Sequence, residues 1–262
     1  MEYITFFKDN MNKALKQQFI KAIDNLITDK NFTNTLQLKN SFNFTKVIFS
    51  IGGDGTFLSA TNKFGFDDIL YIPINNGTLG FYTSWNINTL NFANFSTSHI
   101  NTLPLINVNI DKENYLCVNE STLINPTQTQ ILDIYINEMR FESFRGTGIC
   151  LSTPSGSTGY NKSLQGSLFD PTNKLFQLTK IAPINNNKYR TIANSLIFNS
   201  CDIIKVKFLE QSNHHSIITI DRENFKLNTN ELTFSLSNKQ LLVLSSDYHF
   251  WNRIKNNFLL DK

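Results

Sequence analysis

The sequence is poor in charge, in cysteine and in long apolar runs, and each shortage excludes a class of protein. Charged residues make up 17% of the 262 residues, and the net charge is +3. The basic residues form no dense patch, so nucleic-acid binding is not indicated. No apolar run approaches the ~18 residues that a membrane span needs, and no apolar leader precedes a cleavage site. We therefore expect a cytoplasmic protein that neither crosses nor binds a membrane.

Cysteine chemistry is not expected to organise the fold. The three cysteines, Cys117, Cys150 and Cys201, are far apart and form no CxxC pair, so neither a disulfide framework nor a zinc cluster is expected. Free cysteine is among the most buried residue types. We expect three reduced, buried thiols and no metal ligands among the side chains.

Three common nucleotide-handling motifs are missing as well. The chain has no GxxxxGK[ST] phosphate loop, no GxGxxG after a strand and no protein-kinase motif set, so a P-loop enzyme, a Rossmann-type dehydrogenase and a protein kinase are not supported.

Apolar patterning divides the chain into two regions. The first alternates short apolar strands with helical spacing, which predicts an α/β domain with a Rossmann-like parallel sheet. The second shows period-two alternation, which predicts a mainly antiparallel β domain. The strands of the first region are 2–7, 46–51 and 69–74, and those of the second include 106–110, 132–136, 204–208, 216–220 and 231–244.

The two regions define the expected domains. We place an N-terminal domain at residues 1–98 and a C-terminal domain at residues 99–244, and expect residues 245–262 to pack back on the N-terminal domain. A closing helix is expected in this last segment. Its apolar face should carry Trp251, Ile254, Phe258 and Leu259.

The most informative segment is the glycine turn from Gly52 to Thr56. It follows the strand 46–51 and precedes Phe57, where a helix could open. Three glycines within four residues let the backbone turn sharply and approach a ligand closely. A strand, a glycine turn and a helix start can present N–H groups to phosphate. The carboxylate of Asp54 could perform chemistry beside that phosphate.

Two later segments carry polar groups that suit a nucleotide. Asn119 and Glu120 offer an amide and a carboxylate for ribose hydroxyls and a purine edge, although the same pair would fit a β-turn with a solvated Glu. The segment from Arg145 to Ser163 runs through a strand at 149–152 into a turn rich in Ser, Thr, Gly and Pro. That turn could bind a polar ligand through hydroxyls and N–H groups, or it could be a simple hairpin loop.

Taken together and in order, these segments resemble the NAD kinase family. The family carries a GGDG turn followed by Thr, an NxGxLGF string, an Asn-Glu pair and a TP[TS]GSTAY-like loop. The corresponding segments here are Gly52–Thr56, Asn75–Phe81, Asn119–Glu120 and Thr153–Tyr160. The resemblance covers nearly the whole chain, including the aromatic and basic segment near Trp251.

The resemblance implies an enzyme that transfers the γ-phosphoryl group of ATP, or of polyphosphate, to the 2′-hydroxyl of the adenosine ribose of NAD, giving NADP. It also implies Mg²⁺ or another divalent metal, and a homo-oligomer, a dimer or a tetramer. Asp54 would be the catalytic residue. The residues that would bind the nucleotides are Gly52, Gly53, Gly55, Thr56, Phe57, Asn75, Asn119, Glu120, Arg145, Thr147, Ser155, Thr158, Gly159, Tyr160, Asn161, Lys162, Ser163 and Ala182.

The chain departs from the family pattern at two positions. Thr147 stands where the family usually has Asp, which is expected to contact the nicotinamide riboside half of NAD, and Gly159 replaces the usual Ala. Because the nicotinamide ring of NAD⁺ is cationic, loss of the acid should weaken NAD binding. Two alternatives stay open: a lipid kinase of the same superfamily, because such kinases also carry GGDG-like turns, and a non-catalytic NAD-binding protein, which Thr147 suggests.

Overall fold

The chain folds into two compact units. The computed structural model describes residues 1–77, 80–91, 95–209, 215–227, 229–246 and 249–259. The first unit combines Met1–Leu103 with Leu241–Lys262, and the second is Pro104–Gln240. Over the ranges that are described, no helix is both long and apolar enough to cross a membrane.

A parallel sheet forms the centre of the first unit. Strands β1 (Glu2–Phe7), β2 (Lys46–Ile51) and β3 (Ile69–Ile74) lie side by side in that order. The last strand, β15 (Glu231–Ser245), ends in this unit, where Leu242 and Val243 pair in parallel with β3. Every residue of β3 and all but the first of β2 are buried, as expected for strands covered on both faces.

Helices supply further residues of the first unit's core. They are α1 (Lys13–Thr28), α2 (Lys30–Leu38), α3 (Asp54–Phe64) and, at the end of the chain, α5 (Phe250–Phe258). The side chain of Asn12 accepts a hydrogen bond from the N–H of Ala14 and caps α1, which satisfies one of the free donors of the first turn. Helix α1 then buries Phe19, Ile23 and Leu26, at the spacing that the sequence predicts.

The predicted apolar face of the closing helix is confirmed at Ile254 and wrong at Trp251, Phe258 and Leu259, which are exposed. Helix α5 buries Phe250, Arg253 and Ile254, whereas Trp251 is 61% exposed and Leu259, just past the helix, is 74% exposed. The inward face is therefore centred on an arginine. The hydrogen-bond acceptors around its guanidinium supply the physical reason.

Two antiparallel sheets form the second unit. Their strands are β4 His99–Ile110, β5 Glu113–Cys117, β6 Glu120–Ile124, β7 Gln130–Ile136, β8 Met139–Gly146, β9 Gly148–Ser152, β10 Leu175–Ile181, β11 Leu196–Asn199, β12 Ile203–Phe208, β13 Ile217–Ile220 and β14 Glu223–Lys226. In one sheet, the first part of β15 pairs with β12, β12 with β7 and β7 with β8, and β4 forms a hairpin with β5. The other sheet has the order β11-β10-β9-β6-β13-β14.

Side chains from both sheets share one hydrophobic core in this unit. Leu132 and Val206 come from one sheet, and Ile149 and Leu178 come from the other, and all four are fully buried. This arrangement and the parallel sheet of the first unit confirm the predicted fold class. One prediction about the cysteines is wrong: Cys117 and Cys150 are buried free thiols, but Cys201 is exposed, because it lies in the turn before β12.

Candidate functional site

The glycine turn joins β2 to α3 in the first unit. The N–H of Gly52 donates to the carbonyl of Ile74 at 2.8 Å. Gly53 is extended and precedes the first helical residue, Asp54. A Cβ on Gly52 would lie 2.2 Å from Oγ1 of Thr56, so this position admits no side chain as it stands. Gly53 and Gly55 are both exposed at the start of the helix, where the helix dipole favours negative charge.

The carboxylate of Asp54 binds the backbone of a second segment of the same unit. Its Oδ2 accepts from the N–H of Phe81 at 2.8 Å, and its Oδ1 accepts from the N–H of Tyr82 at 3.0 Å. A Cβ on Gly80 would lie 2.2 Å from Oδ1, so glycine permits this close approach. The N–H groups hold both oxygens in place, and each oxygen keeps a further lone pair that could accept a proton.

Two other predicted residues of this unit have structural partners. Asn75 is buried, and its Oδ1 accepts from the N–H of Gly77 at 2.7 Å. Phe57 is fully buried against the rings of Tyr71 and Tyr82, so its side chain belongs to the core. Thr78 and Leu79, in the motif that follows Asn75, lie outside the described residues.

Asn119 lies between β5 and β6 in the second unit, and Glu120 begins β6. A residue that the sequence did not predict fixes their backbone. The carboxylate of Asp221 accepts from the N–H of Val118 at 2.8 Å and from the N–H of Asn119 at 2.6 Å. The N–H of Asp221 in turn donates to the carbonyl of Glu120 at 3.0 Å. Asp221 therefore holds the Asn-Glu pair as a rigid corner.

The Thr- and Ser-rich segment packs onto the same corner. The N–H of Thr153 donates to the carbonyl of Asn119 at 2.9 Å, and its hydroxyl donates to the carbonyl of Val118 at 2.6 Å. A Cβ on Gly156 would lie 2.1 Å from the carbonyl oxygen of Asn119. The segment is a 3₁₀ turn, Ser155–Thr158, followed by a one-turn helix, α4 (Tyr160–Ser163), and not the simple hairpin loop that the sequence also allowed.

Burial perturbs the carboxyl group of Glu120 in this cluster. Burial raises its pKa to about 7, the charge of Asp221 adds to the rise, and the N–H of Tyr160 opposes it. Among the described residues its buried Oε2 has no hydrogen-bond partner. A Cβ on Gly159 would lie 2.9 Å from that oxygen, so glycine at this departure from the family pattern gives the carboxyl group more room.

The remaining predicted residues of this segment differ in exposure. Tyr160, Lys162 and Ser163 are exposed. Ser155 is buried, and within the described chain its hydroxyl has no hydrogen-bond partner. Asn161 is fully buried and accepts from the hydroxyl of Thr179 at 2.8 Å, so its side chain stabilises the segment from inside.

The hydroxyl of Thr158 turns back onto its own 3₁₀ turn. It donates to the carbonyl of Ser155 at 3.3 Å.

A separate group lies at the other end of β6 and β9 from Glu120. It consists of Arg145, Thr147 and Ala182. The N–H of Thr147 donates to the carbonyl of Ile181 at 3.1 Å, and Ala182 follows with a φ of 46°. The guanidinium of Arg145 lies over the ring of Tyr189. Pairing of β6 with β9 sets Glu120 opposite Ser152 and Ile124 opposite Gly148. At about 3.3 Å per residue, this group lies roughly 13 Å from the Asn119–Glu120 corner.

Sequence reasoning missed two charged residues, Asp221 and Arg253. Each lies far along the chain from the segment it contacts, so no local motif marks it. A weak signal existed for Asp221, which follows the apolar strand β13, as Asp54 follows an apolar strand in the glycine turn. In the described part of the chain, no group of three or more His, Cys, Asp or Glu residues could hold a metal ion.

Family models and curated relatives match most of this chain. The family model for the ATP-NAD kinase N-terminal domain matches residues 5–102, and the model for the ATP-NAD kinase C-terminal domain matches residues 111–245. NAD kinase 2 of Bacillus licheniformis is 36% identical over 83% of this chain and 85% of its own length. NAD kinase 2 of Halalkalibacterium halodurans is 34% identical over 93% of this chain and 94% of its own length.

Solved structures share the fold at lower identity. Yeast NADH kinase in complex with NADH superposes with a TM-score of 0.77 at 17% identity, covering 99% of this chain and 87% of that one. An NAD kinase from Archaeoglobus fulgidus in complex with ATP superposes with a TM-score of 0.73 at 20% identity, covering 96% of both chains. The matches to both family models and the two relatives, each above 30% identity over most of the chain, show that this protein belongs to the ATP-NAD kinase family.

Proposed function

We propose that this protein is an NAD kinase, which phosphorylates the 2′-hydroxyl of the adenosine ribose of NAD and so produces NADP. ATP is the donor, with inorganic polyphosphate as a second candidate. The observation that carries the proposal is the position of Asp54 in the first turn of α3, directly after a glycine turn, with both carboxylate oxygens held by N–H groups. Membership of the family supports the same reaction.

In the proposed reaction Asp54 acts on the acceptor hydroxyl. The 2′-oxygen forms a bond to the γ-phosphorus while the bond from that phosphorus to the β–γ bridging oxygen breaks, releasing ADP. The carboxylate of Asp54 orients the hydroxyl and accepts its proton. The exposed glycines at the start of α3 let phosphate approach the positive end of the helix dipole.

The second unit supplies the proposed NAD-binding residues. Asn119, Glu120, Thr158 and Tyr160 hold the nucleotide, and Ser155 adds a buried hydroxyl. The rigid corner made by Asp221 supports this assignment, because preorganised polar groups lose little freedom when they bind a ligand. Asn161 acts from inside the segment, and Lys162 and Ser163 line its exposed side.

We expect the divalent metal to bind together with the phosphoryl donor, as the Mg·ATP complex. When bound, Mg²⁺ neutralises part of the triphosphate charge.

We further propose a cytoplasmic homo-oligomer of two or four copies. In it, Arg145, Thr147 and Ala182 of one copy contact NAD held by the Asn119–Glu120 corner of another. Arg145, Thr147 and Ala182 lie roughly 13 Å from that corner along β6 and β9 of the same copy, so they form a separate contact group. Sedimentation velocity should give a dimer or a tetramer, and a monomer at assay concentration would contradict this part of the proposal.

A substrate panel tests the proposed reaction. The purified chain is incubated with Mg·ATP or polyphosphate, and with NAD or diacylglycerol as acceptor, and the products are separated. We expect NADP from NAD and no phosphorylated lipid. Phosphorylated diacylglycerol without NADP would indicate a lipid kinase, and tight NAD binding without NADP would indicate a non-catalytic binding protein.

A further inference from the structure

A buried arginine lies behind the segment that holds Asp54. Arg253, in helix α5, is 7% exposed. Its guanidinium donates to the carbonyl of Gly80 at 3.1 Å, to the carbonyl of Phe81 at 2.7 Å and to the hydroxyl of Ser84 at 3.0 Å. A buried cation is costly unless its donors are satisfied, and these three acceptors offset that cost.

The same two peptide groups join Arg253 to Asp54. The carbonyl of Gly80 and the N–H of Phe81 belong to one planar peptide group, and the carbonyl of Phe81 and the N–H of Tyr82 belong to the next. Arg253 binds both carbonyls, and Asp54 binds both N–H groups. The two peptide groups therefore lie between a cation on one side and a carboxylate on the other.

This arrangement has a physical consequence for the carboxylate. A cation on the carbonyl oxygen of a peptide group polarises that group and strengthens its N–H as a donor, because hydrogen bonds in a chain reinforce one another. Both carbonyls accept from Nη1 of Arg253, and Nη2 donates to the hydroxyl of Ser84. The planar guanidinium fixes the directions of these donors, whereas an ammonium group is a point charge. Arg253 thus fixes the position of both N–H groups and the strength of their bonds to Asp54.

We propose that Arg253 is a positioning residue for the catalytic carboxylate of Asp54, acting through the peptide groups at 80–82. The inference rests on the proposed function for its kinetic consequence, but the hydrogen-bond relay itself can be tested without activity. Arg253 touches no substrate in this account. Its loss should leave substrate binding in place and slow the chemical step.

Three variants test the kinetic side. Arg253→Met removes the guanidinium, Arg253→Lys keeps the charge but loses the fork, and Lys255→Met, an exposed position on the same helix, is the matched control. We expect Arg253→Met to lower kcat by roughly 10²-fold, the loss typical of a slightly misplaced catalytic group. KM for NAD and for Mg·ATP should stay within about twofold.

The two other variants should lose less activity than Arg253→Met. Arg253→Lys should recover part of kcat, and Lys255→Met should match the wild type. If kcat is kept in Arg253→Met, or if KM rises while kcat is kept, the proposal is wrong.

A double-mutant cycle separates a role through Asp54 from a general structural role. In an Asp54→Asn background the relay has lost its carboxylate, so Arg253→Met should lower the residual kcat by less than about threefold. An equal loss in both backgrounds would overturn the proposal. If Arg253→Met does not fold, Arg253→Lys takes its place in the cycle, with the same outcomes.

Hydrogen exchange gives a readout that does not depend on catalysis. We expect the amide protons of Phe81 and Tyr82 to lose protection in both Arg253→Lys and Asp54→Asn, and to keep it in Lys255→Met. Unchanged protection in Arg253→Lys would overturn the relay. The kinetic series also measures NADP formation by the wild type. That rate tests the proposed function separately from the hydrogen-bond relay.

Discussion

Glu120 gives the sharpest prediction for the second unit, because its carboxyl group is buried beside another acid. Burial, aided by the charge of Asp221, raises its pKa from 4.5 to about 7. Its Oε2 has no hydrogen-bond partner among the described residues. Glu120→Gln replaces the carboxyl group with a neutral amide of nearly the same shape and removes the titration.

The sign of the effect follows from proton binding. Between pH 4.5 and about 7 the folded chain keeps a proton on Glu120 that the unfolded chain releases. The stabilisation that protonated Glu120 gives the folded chain is therefore fully present below the unfolded pKa of 4.5. It is lost as the pH rises through the folded pKa of about 7. At 1.36 kcal/mol per pKa unit the full loss is on the order of 3 kcal/mol, and partial solvent exposure reduces it to about 2 kcal/mol.

The assay compares urea unfolding of three proteins between pH 5 and pH 8. We expect Glu120→Gln and wild type to have similar free energies of unfolding at pH 5, and the variant to be more stable by about 2 kcal/mol at pH 8. Glu2→Gln is the matched control, since Glu2 also begins a strand but has an exposed side chain. A Glu120→Gln curve parallel to wild type at every pH, or a gain at pH 5 alone, would refute the reasoning.

Two further substitutions test other parts of the second unit. Gly156→Ala should destabilise the fold by roughly 1–3 kcal/mol, because the added Cβ would lie 2.1 Å from a backbone oxygen. Gly53→Ala, with open space around the position, is its control in the same unfolding assay, and equal losses would contradict the packing argument. Thr147→Asp should lower KM for NAD without changing KM for Mg·ATP, because a carboxylate attracts the cationic nicotinamide ring. An unchanged KM for NAD would contradict the idea that residue 147 senses the nicotinamide half of NAD.

The sequence predicted the strands well where burial dictates them. The central strands 46–51 and 69–74 are almost entirely apolar, and the structure gives them the same bounds. Such runs are buried whatever surrounds them, so local patterning is sufficient. The period-two strands of the second unit follow the same logic, because one face of each points into the shared core.

The sequence failed where a side chain's partner is distant along the chain. Helical spacing alone placed Trp251 and Leu259 on the apolar face of the closing helix. The structure turns Arg253 inward instead, because the carbonyls of Gly80 and Phe81 and the hydroxyl of Ser84 accept hydrogen bonds from its guanidinium. Asp221 was missed for the same reason, since its partners, at Val118 and Asn119, are more than 100 residues away.

The most direct test of the central claim is the rate of NADP formation by wild type and Asp54→Asn at saturating NAD and Mg·ATP. Asp24→Asn, which changes an exposed carboxylate on α1, serves as control. If Asp54 accepts the proton of the 2′-hydroxyl, wild type and control should form NADP at equal rates. Asp54→Asn should then be slower by roughly 10²–10⁴-fold. NADP formation by Asp54→Asn at the wild-type rate, or no NADP from the wild type, would contradict the account.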